Sequence, residues 1–208
     1  MKLILCFGDS NTYGHDPATR QRLDRDTRWP GALRNALGDG YEIIAEGLGG
    51  RTTVWDDPIE GYKNGRTYLI PCLASHAPLD LVIILLGTND LKKRFSLSAF
   101  DIAEGARLLV GETLSSGAGL NGGAPKVLLL APPPITTLAD YSEMFEGAEE
   151  KSRKFAAHFA RVAQESGCAF LNAGSVIVSS RLDGIHFEAG EHVKLGKAVA
   201  AKAKALIG

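Results

Sequence analysis

The sequence predicts an α/β protein with three layers, α/β/α, arranged around a five-stranded parallel sheet. Short apolar runs alternate along the chain with longer stretches of helical pattern. The apolar runs are continuous and do not alternate with polar residues, which is typical of parallel strands covered on both faces. At 208 residues the chain, 1–208, is expected to form a single domain with right-handed crossovers between its strands.

The elements follow one another in strand–helix pairs. The continuous apolar runs predict strands at Leu3–Phe7, Tyr41–Ala45, Leu81–Leu86, Lys126–Ala131 and Ala169–Leu171. The stretches of helical pattern predict helices at Trp29–Leu37, Thr67–Ser75, Ala99–Ser115, Tyr141–Ser166 and His192–Ile207. The run of three prolines at 132–134 ends the fourth strand, because proline cannot donate to a sheet.

Three loops are expected to border one crevice. They leave the carboxyl ends of strands one, two and four, which meet at one edge of a parallel sheet. Two of them, Asn11–Arg28 and Leu48–Arg66, are long and rich in polar residues. Long loops in a compact domain usually carry function, so the crevice is the predicted site.

Composition and charge argue against several kinds of partner. The net charge is −1, which offers no electrostatic attraction to nucleic acid or to an anionic membrane. Met1 and Lys2 lead directly into an apolar run that is too short for a signal peptide or a membrane span. Cys6, Cys72 and Cys168 are odd in number and widely spaced, which favours free thiols in a reducing cytoplasm.

A candidate nucleophile and a candidate base lie at opposite ends of the chain. Ser10 follows the first strand, where α/β sheets place their sites, and a serine hydroxyl needs a base to act as nucleophile. His186 follows Asp183 by three residues, so a turn would let the carboxylate orient the imidazole toward Ser10. The three residues predict a serine ester hydrolase.

Acyl transfer also needs donors directed at the developing oxyanion. Gly49 and Gly50 follow the second strand, where the missing side chains let backbone N–H groups approach a ligand. Asn89 follows the third strand and offers a side-chain amide, and the Ser10 N–H would be a third donor. Asp9 is expected to organise the turn by accepting backbone hydrogen bonds.

Simpler interpretations of these residues remain open. Asp183 could be only a helix cap, Gly49 and Gly50 a plain turn, and Asn89 part of an Asx turn. A metal site is conceivable because Glu188, Glu191 and His192 lie near His186, but the two histidines are six residues apart and not four.

Two further alternatives concern the first loop and the fold. The first loop contains four arginines that could clamp an anion: Arg20, Arg22, Arg25 and Arg28. Asp24 and Asp26 lie among them, which favours a self-paired solvated loop. A flavodoxin-like binding module would leave Asp183 and His186 without a role. His15, His76 and His158 have no partner in the sequence and are expected on surfaces or at helix ends.

Over almost its whole length the chain resembles the SGNH (GDSL-type) hydrolases. Four blocks match in order: Gly8-Asp9-Ser10-Asn11, Glu46–Thr52, Gly87-Thr88-Asn89-Asp90 and Asp183-Gly184-Ile185-His186. Position 11 is Asn and not the Leu of the GDSL name. The resemblance implies a flavodoxin-like sheet topology, Ser10 as nucleophile, and His186 with Asp183 as base and orienter. It also implies Ser10, Gly50 and Asn89 as oxyanion donors.

Within that family the chain is most similar to the bacterial arylesterase and acyltransferase branch. The supporting stretches include Arg51–Thr53, Leu79–Ile84 and Ala131–Pro134. This resemblance implies hydrolysis of short acyl and aryl esters, acyl transfer to alcohols, and a homo-oligomer, with a tetramer and an octamer as candidates. It suggests that Met144, Phe145 and Ile185 line the acyl or alcohol pocket, although an ordinary apolar helix face is as good an explanation. No cofactor or metal is expected, and a carbohydrate O-deacetylase or a thioesterase would use the same triad.

Overall fold

The computed structural model describes all residues, 1–208, and contains one parallel sheet of five strands in the order β2-β1-β3-β4-β5. Its strands are β1 (Lys2–Gly8), β2 (Tyr41–Gly47), β3 (Leu81–Leu85), β4 (Lys126–Ala131) and β5 (Ala169–Asn172). Each neighbouring pair is parallel, with Ile4 of β1 opposite Ile43 on one side and Leu81 on the other. This strand order is flavodoxin-like, so the predicted fold is confirmed.

Helices cover both faces of the sheet. They are α1 (Ser10–Tyr13), α2 (Trp29–Leu37), α3 (Gly65–His76), α4 (Ala99–Ser115), α5 (Ala148–Ser152), α6 (Phe155–Ser166) and α7 (Ala189–Ile207). Single 3-10 turns occur at Asn89–Leu91, Lys93–Phe95, Leu120–Gly122 and Ala173–Ser175. Even the longest helix, α7 with 19 residues, lacks the apolar length that a membrane crossing requires.

The core is divided into two by the sheet. Alternate residues of β1 point to opposite faces, so Ile4 and Cys6 pack with α2 and α7, while Leu5 and Phe7 pack with α3, α4 and α6. All four of these side chains are buried. The double coverage is the physical reason that the strands read as continuous apolar runs.

The predicted helix Tyr141–Ser166 is wrong in its first part. Residues 139–147 form successive turns, and a helix begins only at Ala148, after Gly147 in the left-handed conformation. A second break separates α5 from α6 at residues 153–154. The buried Ser152 hydroxyl accepts the Ile135 N–H at 3.0 Å, which fastens the end of α5 to the proline loop. Such a long-range contact leaves no periodic signal in the sequence.

Other boundaries differ by a few residues. The third helix begins at Gly65 and not Thr67, because the Asn64 side chain accepts the Arg66 N–H at 3.0 Å and caps it. The last helix begins at Ala189 and not His192, and the third strand ends at Leu85 and not Leu86. These shifts do not change the topology.

Candidate active site

Ser10 is the first residue of α1 and follows β1 after one residue, Asp9. The Asp9 side chain caps this helix by accepting the Asn11 N–H at 2.9 Å, as expected for a residue that organises the turn. A Cβ on Gly8 would lie 2.1 Å from the Thr12 hydroxyl, so only glycine lets the helix turn back so closely onto the strand. The turn holds the half-buried Ser10 at the carboxyl end of the sheet.

His186 bridges Ser10 and Asp183. Its Nε2 lies 2.9 Å from the Ser10 Oγ, and its Nδ1 lies 2.6 Å from the Asp183 Oδ2. The other Asp183 oxygen accepts the backbone N–H groups of Ile185 and His186, each at 2.9 Å. Burial acts to raise the pKa of Asp183, but the hydrogen bonds from His186 and these N–H groups outweigh it and lower that pKa. The carboxylate is therefore ionised and fixed in orientation.

The predicted oxyanion donors lie around the same point. Gly50 has a φ of +81°, and the Gly50 N–H donates no hydrogen bond within the protein. The Asn89 amide nitrogen donates to the Arg51 carbonyl at 3.1 Å and lies 3.4 Å from the Asp9 Oδ2. Gly50 and Asn89 both line a cavity with Ser10, so donors from three successive strand ends face one space.

This cavity of about 220 Å³ contains every site residue that the sequence predicted except the buried orienter Asp183. Met144 is partly exposed at its wall, while Phe145 and Ile185 are buried and continue into the core. Four residues of the wall were not predicted as part of the site: His15, Glu60, Lys92 and Tyr141.

His15 has a partner, contrary to the expectation from the sequence. Its ring packs against the His186 ring with centroids 4.3 Å apart and an interplanar angle of 51°. Burial, followed by the charge that His186 can carry, lowers the pKa of His15. The only sequence signal for this contact is that His15 follows α1 in the first loop, because the partner lies near the other end of the chain.

An ion-pair network borders the cavity near Gly50. Lys92, which is buried, places its Nζ 2.6 Å from the Glu60 Oε1 and 3.4 Å from the Asp57 Oδ2. Arg94 donates to the same Glu60 oxygen at 3.1 Å. A Cβ on Gly50 would lie 2.6 Å from the other Glu60 oxygen, so the carboxylate sits directly against the predicted oxyanion donor.

Arg51 connects the ends of β1 and β2, whose loops carry Ser10 and Gly50. Its buried guanidinium donates to the Gly8 carbonyl at 2.8 Å and also to the carbonyl of Glu46. The guanidinium carbon lies 4.3 Å from the Phe7 ring centroid, in a stacking position. One side chain therefore fixes the spacing of two loops of the site.

Two buried carboxyl groups, those of Asp9 and Asp90, lie behind the predicted oxyanion donors. Burial raises the pKa of Asp9 to about 6, against the lowering effect of the Asn11 N–H and the charges of His186 and Arg51. Burial likewise raises the pKa of Asp90 to about 6, although its side chain accepts the Thr53 N–H and hydroxyl. Neither group contacts the Ser10 hydroxyl, so both serve to position the loops.

The residues that could hold a metal ion in the structure differ from those considered in the sequence. His192 is fully buried, and its Nδ1 accepts the Trp29 N–H at 3.2 Å. Glu188 accepts from the Ser180 hydroxyl and Glu191 from the Val178 N–H, so these residues hold local structure. The donor atoms of His15, Asp183 and His186 lie within 4.8 Å of one another, close enough for a cation to bridge them.

Residues 6–190 match the GDSL-like lipase/acylhydrolase family. Among solved structures, the aryl esterase of M. smegmatis has 43% sequence identity and a TM-score of 0.95 over 99% of this chain and 100% of its own. Est24, a carbohydrate acetylesterase from Sinorhizobium meliloti, has 44% identity and a TM-score of 0.95 over the same shares. A putative arylesterase from Agrobacterium tumefaciens str. C58 has 37% identity and a TM-score of 0.91, covering 99% of this chain and all of its own.

A search of curated proteins found no match. The family match covers most of the chain, and the structural matches extend over nearly all of it at more than 30% identity. The predicted resemblance is confirmed: the chain belongs to the GDSL-like lipase/acylhydrolase family and is a carboxylic ester hydrolase.

Proposed function

We propose that the chain hydrolyses short-chain acyl and aryl esters through an acyl-enzyme on Ser10. The observation that carries the proposal is the unbroken relay Asp183–His186–Ser10, with contacts of 2.6 and 2.9 Å, which opens onto a cavity. The Ser10 Oγ attacks the ester carbonyl carbon while the His186 Nε2 takes its proton. Asp183 keeps the other proton of the imidazole on Nδ1 and stabilises the imidazolium that forms.

The negative charge of the tetrahedral intermediate is proposed to rest on three donors. These are the N–H groups of Ser10 and Gly50 and the side-chain amide of Asn89. Support comes from the Gly50 N–H, which has no partner in the protein, and from the Arg51 carbonyl, which orients the Asn89 amide. Donors that are oriented before the reaction need no reorganisation when the charge appears.

His186 then acts as an acid to form the acyl-enzyme and again as a base to release the acyl group from it. The imidazolium gives its proton to the leaving alcohol, whose bond to the carbonyl carbon breaks. A water molecule, or an acceptor alcohol in the proposed acyl-transfer reaction, attacks the acyl-enzyme and loses its proton to His186. The proton returns to the Ser10 oxygen as the acid or the new ester departs. No cofactor or metal takes part in these steps.

The cavity supports a small substrate. Its volume of about 220 Å³ suits a short acyl group, and Met144, Phe145 and Ile185 supply apolar contact. A relative of 43% identity is an aryl esterase. Short aryl esters are therefore the proposed substrate class.

A second candidate is the acetyl ester of a carbohydrate. Glu60 and Lys92 border the cavity, and their carboxylate and ammonium groups can bind sugar hydroxyls that an aryl ester lacks. A relative of 44% identity is a carbohydrate acetylesterase. Glu60→Gln should then raise KM for an acetylated monosaccharide and leave KM for phenyl acetate nearly unchanged. An equal effect on both esters would remove the case for this candidate.

The first experiment compares hydrolysis of 4-nitrophenyl acetate, butyrate and octanoate by wild type, Ser10→Ala and Asn89→Ala, with and without a chelator. We expect acetate to be the best substrate, Ser10→Ala to be inactive, and Asn89→Ala to lower kcat by about a hundredfold or more. A chelator should have no effect. Turnover by Ser10→Ala equal to that of wild type would overturn the proposal, and activity lost only to the chelator would favour a metal.

The oligomeric state and the cellular location are also part of the proposal. We propose a cytoplasmic homo-oligomer, a tetramer or an octamer, without nucleic-acid or membrane partners. The exposed side chains of Ile59 and Tyr62 in the second loop support the oligomer, and the three free cysteines support the cytoplasmic setting. Light scattering coupled to size-exclusion chromatography should give a mass four or eight times the 22.1 kDa of one chain. A mass of one chain at micromolar concentration would contradict it.

A further inference from the structure

A second cavity, of about 210 Å³, lies between the first loop, the start of α2 and the strand β2. Ile43 and Ala45 of β2 contribute its apolar part, and Pro30 and Gly31 contribute the first turn of α2. None of its lining residues borders the cavity at Ser10. Thr12 and four arginines complete the wall: Arg22, Arg25, Arg28 and Arg34.

The positive charge of these arginines is mostly uncompensated. Arg34 pairs with Asp26, which is the only ion pair that any of the four makes. Arg20, the remaining arginine of the loop, pairs with Asp140 outside it, and Asp24 makes no ion pair. The expectation of a self-paired loop is therefore wrong, because none of Arg20, Arg22, Arg25 and Arg28 pairs with Asp24 or Asp26. Three unpaired guanidinium groups face one space in a protein whose net charge is −1.

Two of the arginines are held in place by the backbone beside α1. Arg22 donates from Nε to the Tyr13 carbonyl at 3.0 Å, and its guanidinium lies 4.0 Å from the Tyr13 ring centroid. Arg28 reaches the same carbonyl at 3.4 Å. A Cβ on Gly14 would lie 2.1 Å from the Arg28 Cγ, so the arginine stem packs on bare backbone. The groups are thus arranged before any ligand arrives.

Arg28 also has an unmet donor. Its Nε is buried and has no hydrogen-bond partner in the protein. Burial, followed by the charges of Arg22, Arg25 and Arg34, lowers its pKa. An unpaired buried donor is unfavourable, and so is the repulsion among these like charges, which a bound anion would offset. The start of the nine-residue helix α2 adds positive potential at the same point.

We propose that this cavity binds the phosphate group of a small phosphate monoester. Guanidinium groups match the geometry and charge of a phosphate dianion, which can accept several hydrogen bonds at once. The apolar surface of Ile43 and Ala45 would contact the organic part of the ester. Inorganic phosphate shares the recognised group and is the simplest probe.

The test measures binding by calorimetry and by thermal unfolding at constant ionic strength, with chloride as the reference salt. The probes are inorganic phosphate and phenyl phosphate, and the proteins are wild type, Arg25→Gln and Arg25→Glu. Arg153→Gln serves as the matched control, since Arg153 is an exposed arginine without an ion pair elsewhere in the chain. Arg25 makes no hydrogen bond with its side chain, so its substitution removes charge without breaking a contact.

We expect both probes to stabilise wild type and Arg153→Gln, with phenyl phosphate binding more tightly. Arg25→Gln should weaken binding about tenfold, as the loss of a charge-assisted hydrogen bond does, and Arg25→Glu should abolish it. Thermal unfolding without phosphate reports whether each variant is folded. Equal binding by all four proteins, or no more stabilisation by phosphate than by chloride, would overturn the proposal. Tighter binding of inorganic phosphate than of phenyl phosphate would overturn the proposed contact of Ile43 and Ala45 with the organic group.

Discussion

The proton that Ser10 gives up in the proposed reaction has one acceptor, the Nε2 of His186, at 2.9 Å. His186 can serve because Asp183 holds its other nitrogen at 2.6 Å and is itself held by two backbone N–H groups. Because each of these three residues positions or activates the next, a conservative change in one of them should lower kcat strongly.

Asp183→Asn should lower kcat for 4-nitrophenyl acetate by roughly 10³- to 10⁴-fold. An amide can face the imidazole with its N–H₂ group, which would favour the wrong tautomer of His186 and leave no charge to stabilise the imidazolium. KM should change little, because Asp183 does not line the cavity. Steady-state kinetics and far-UV circular dichroism check this prediction. Wild-type kcat in a folded variant would show that Asp183 does not orient the base.

His15 is expected to support the protonated form of His186 through its ring face. His15→Ala should lower kcat about 3- to 30-fold, since an imidazolium resting on an aromatic ring gains roughly 0.5–2 kcal/mol. His15→Phe keeps a ring 4.3 Å from His186 and should retain most of the activity. Steady-state kinetics with 4-nitrophenyl acetate compares both variants with wild type. An equal loss of kcat in His15→Ala and His15→Phe would show that the ring contact does not support catalysis.

Asp90 should make stability depend on pH. Burial raises its folded-state pKa to about 6, so the folded protein binds this proton more tightly than the unfolded chain, whose Asp pKa is about 3.9. The stabilisation is complete below about pH 4 and is lost as pH rises through about 6. Asp90→Asn mimics the protonated form and should be more stable than wild type by about 1–3 kcal/mol at pH 7.5, with the difference vanishing near pH 4. Urea unfolding at the two pH values measures it, and a difference that does not vary with pH would contradict it.

At the scale of elements, the site depends on how strand ends are joined. β1 and β2 are neighbours, and Arg51 joins the Gly8 carbonyl of β1 to the Glu46 carbonyl of β2 while stacking on Phe7. The backbone of the same residue orients Asn89 from the end of β3. The three loops that carry the proposed oxyanion donors thus meet at one arginine. The segment 139–147 is also set by contact and not by periodicity, since the Met144 carbonyl accepts the Lys93 N–H at 2.7 Å.

Arg51→Lys should lower kcat by about tenfold or more while leaving KM within a few-fold, because misplaced donors act mainly in the transition state. A lysine ammonium cannot stack on Phe7 and reach both carbonyl groups in one plane. A positioning role predicts that Arg51→Lys combined with Asn89→Ala costs less than the product of the two single effects. Fully multiplicative effects would separate Arg51 from the oxyanion donors.

At the scale of the whole molecule, one layer consists of two helices, α2 and α7, which cross closely at Gly196. A Cβ there would lie 2.8 Å from the Leu33 N and 2.8 Å from the Trp29 carbonyl oxygen. Gly196→Ala should therefore push the helices apart and lower the free energy of unfolding by about 1–3 kcal/mol.

Gly190 is the matched control in the same helix, since a Cβ on it would meet nothing within 4 Å. Gly190→Ala should be neutral or stabilise the protein by up to about 1 kcal/mol through helix propensity. Urea unfolding of the two variants measures the difference between them. Equal stabilities would show that the layer can shift to accept the extra methyl group.

Much of the fold could be read from local patterns. The five strands and four of the five predicted helices occur where the pattern placed them, within a few residues. The pattern failed at residues 141–147, where apolar residues at helical spacing form turns. There the contacts of Met144 with Lys93 and of Ser152 with Ile135 outweigh the local preference.

Local patterns were enough to predict the fold class, the family and the residues of the proposed relay, because strands with two buried faces and short motifs at strand ends are local signals. The folded structure was needed to show that His15 packs on His186 and that Glu60 and Lys92 border the cavity at Ser10. It was also needed to show that three unpaired arginines line a second cavity. These contacts join residues distant in sequence, and they depend on the order in which the strands assemble. Periodicity and spacing indicate only which face of its own helix or strand a residue occupies. They carry no information about its partner on a different element.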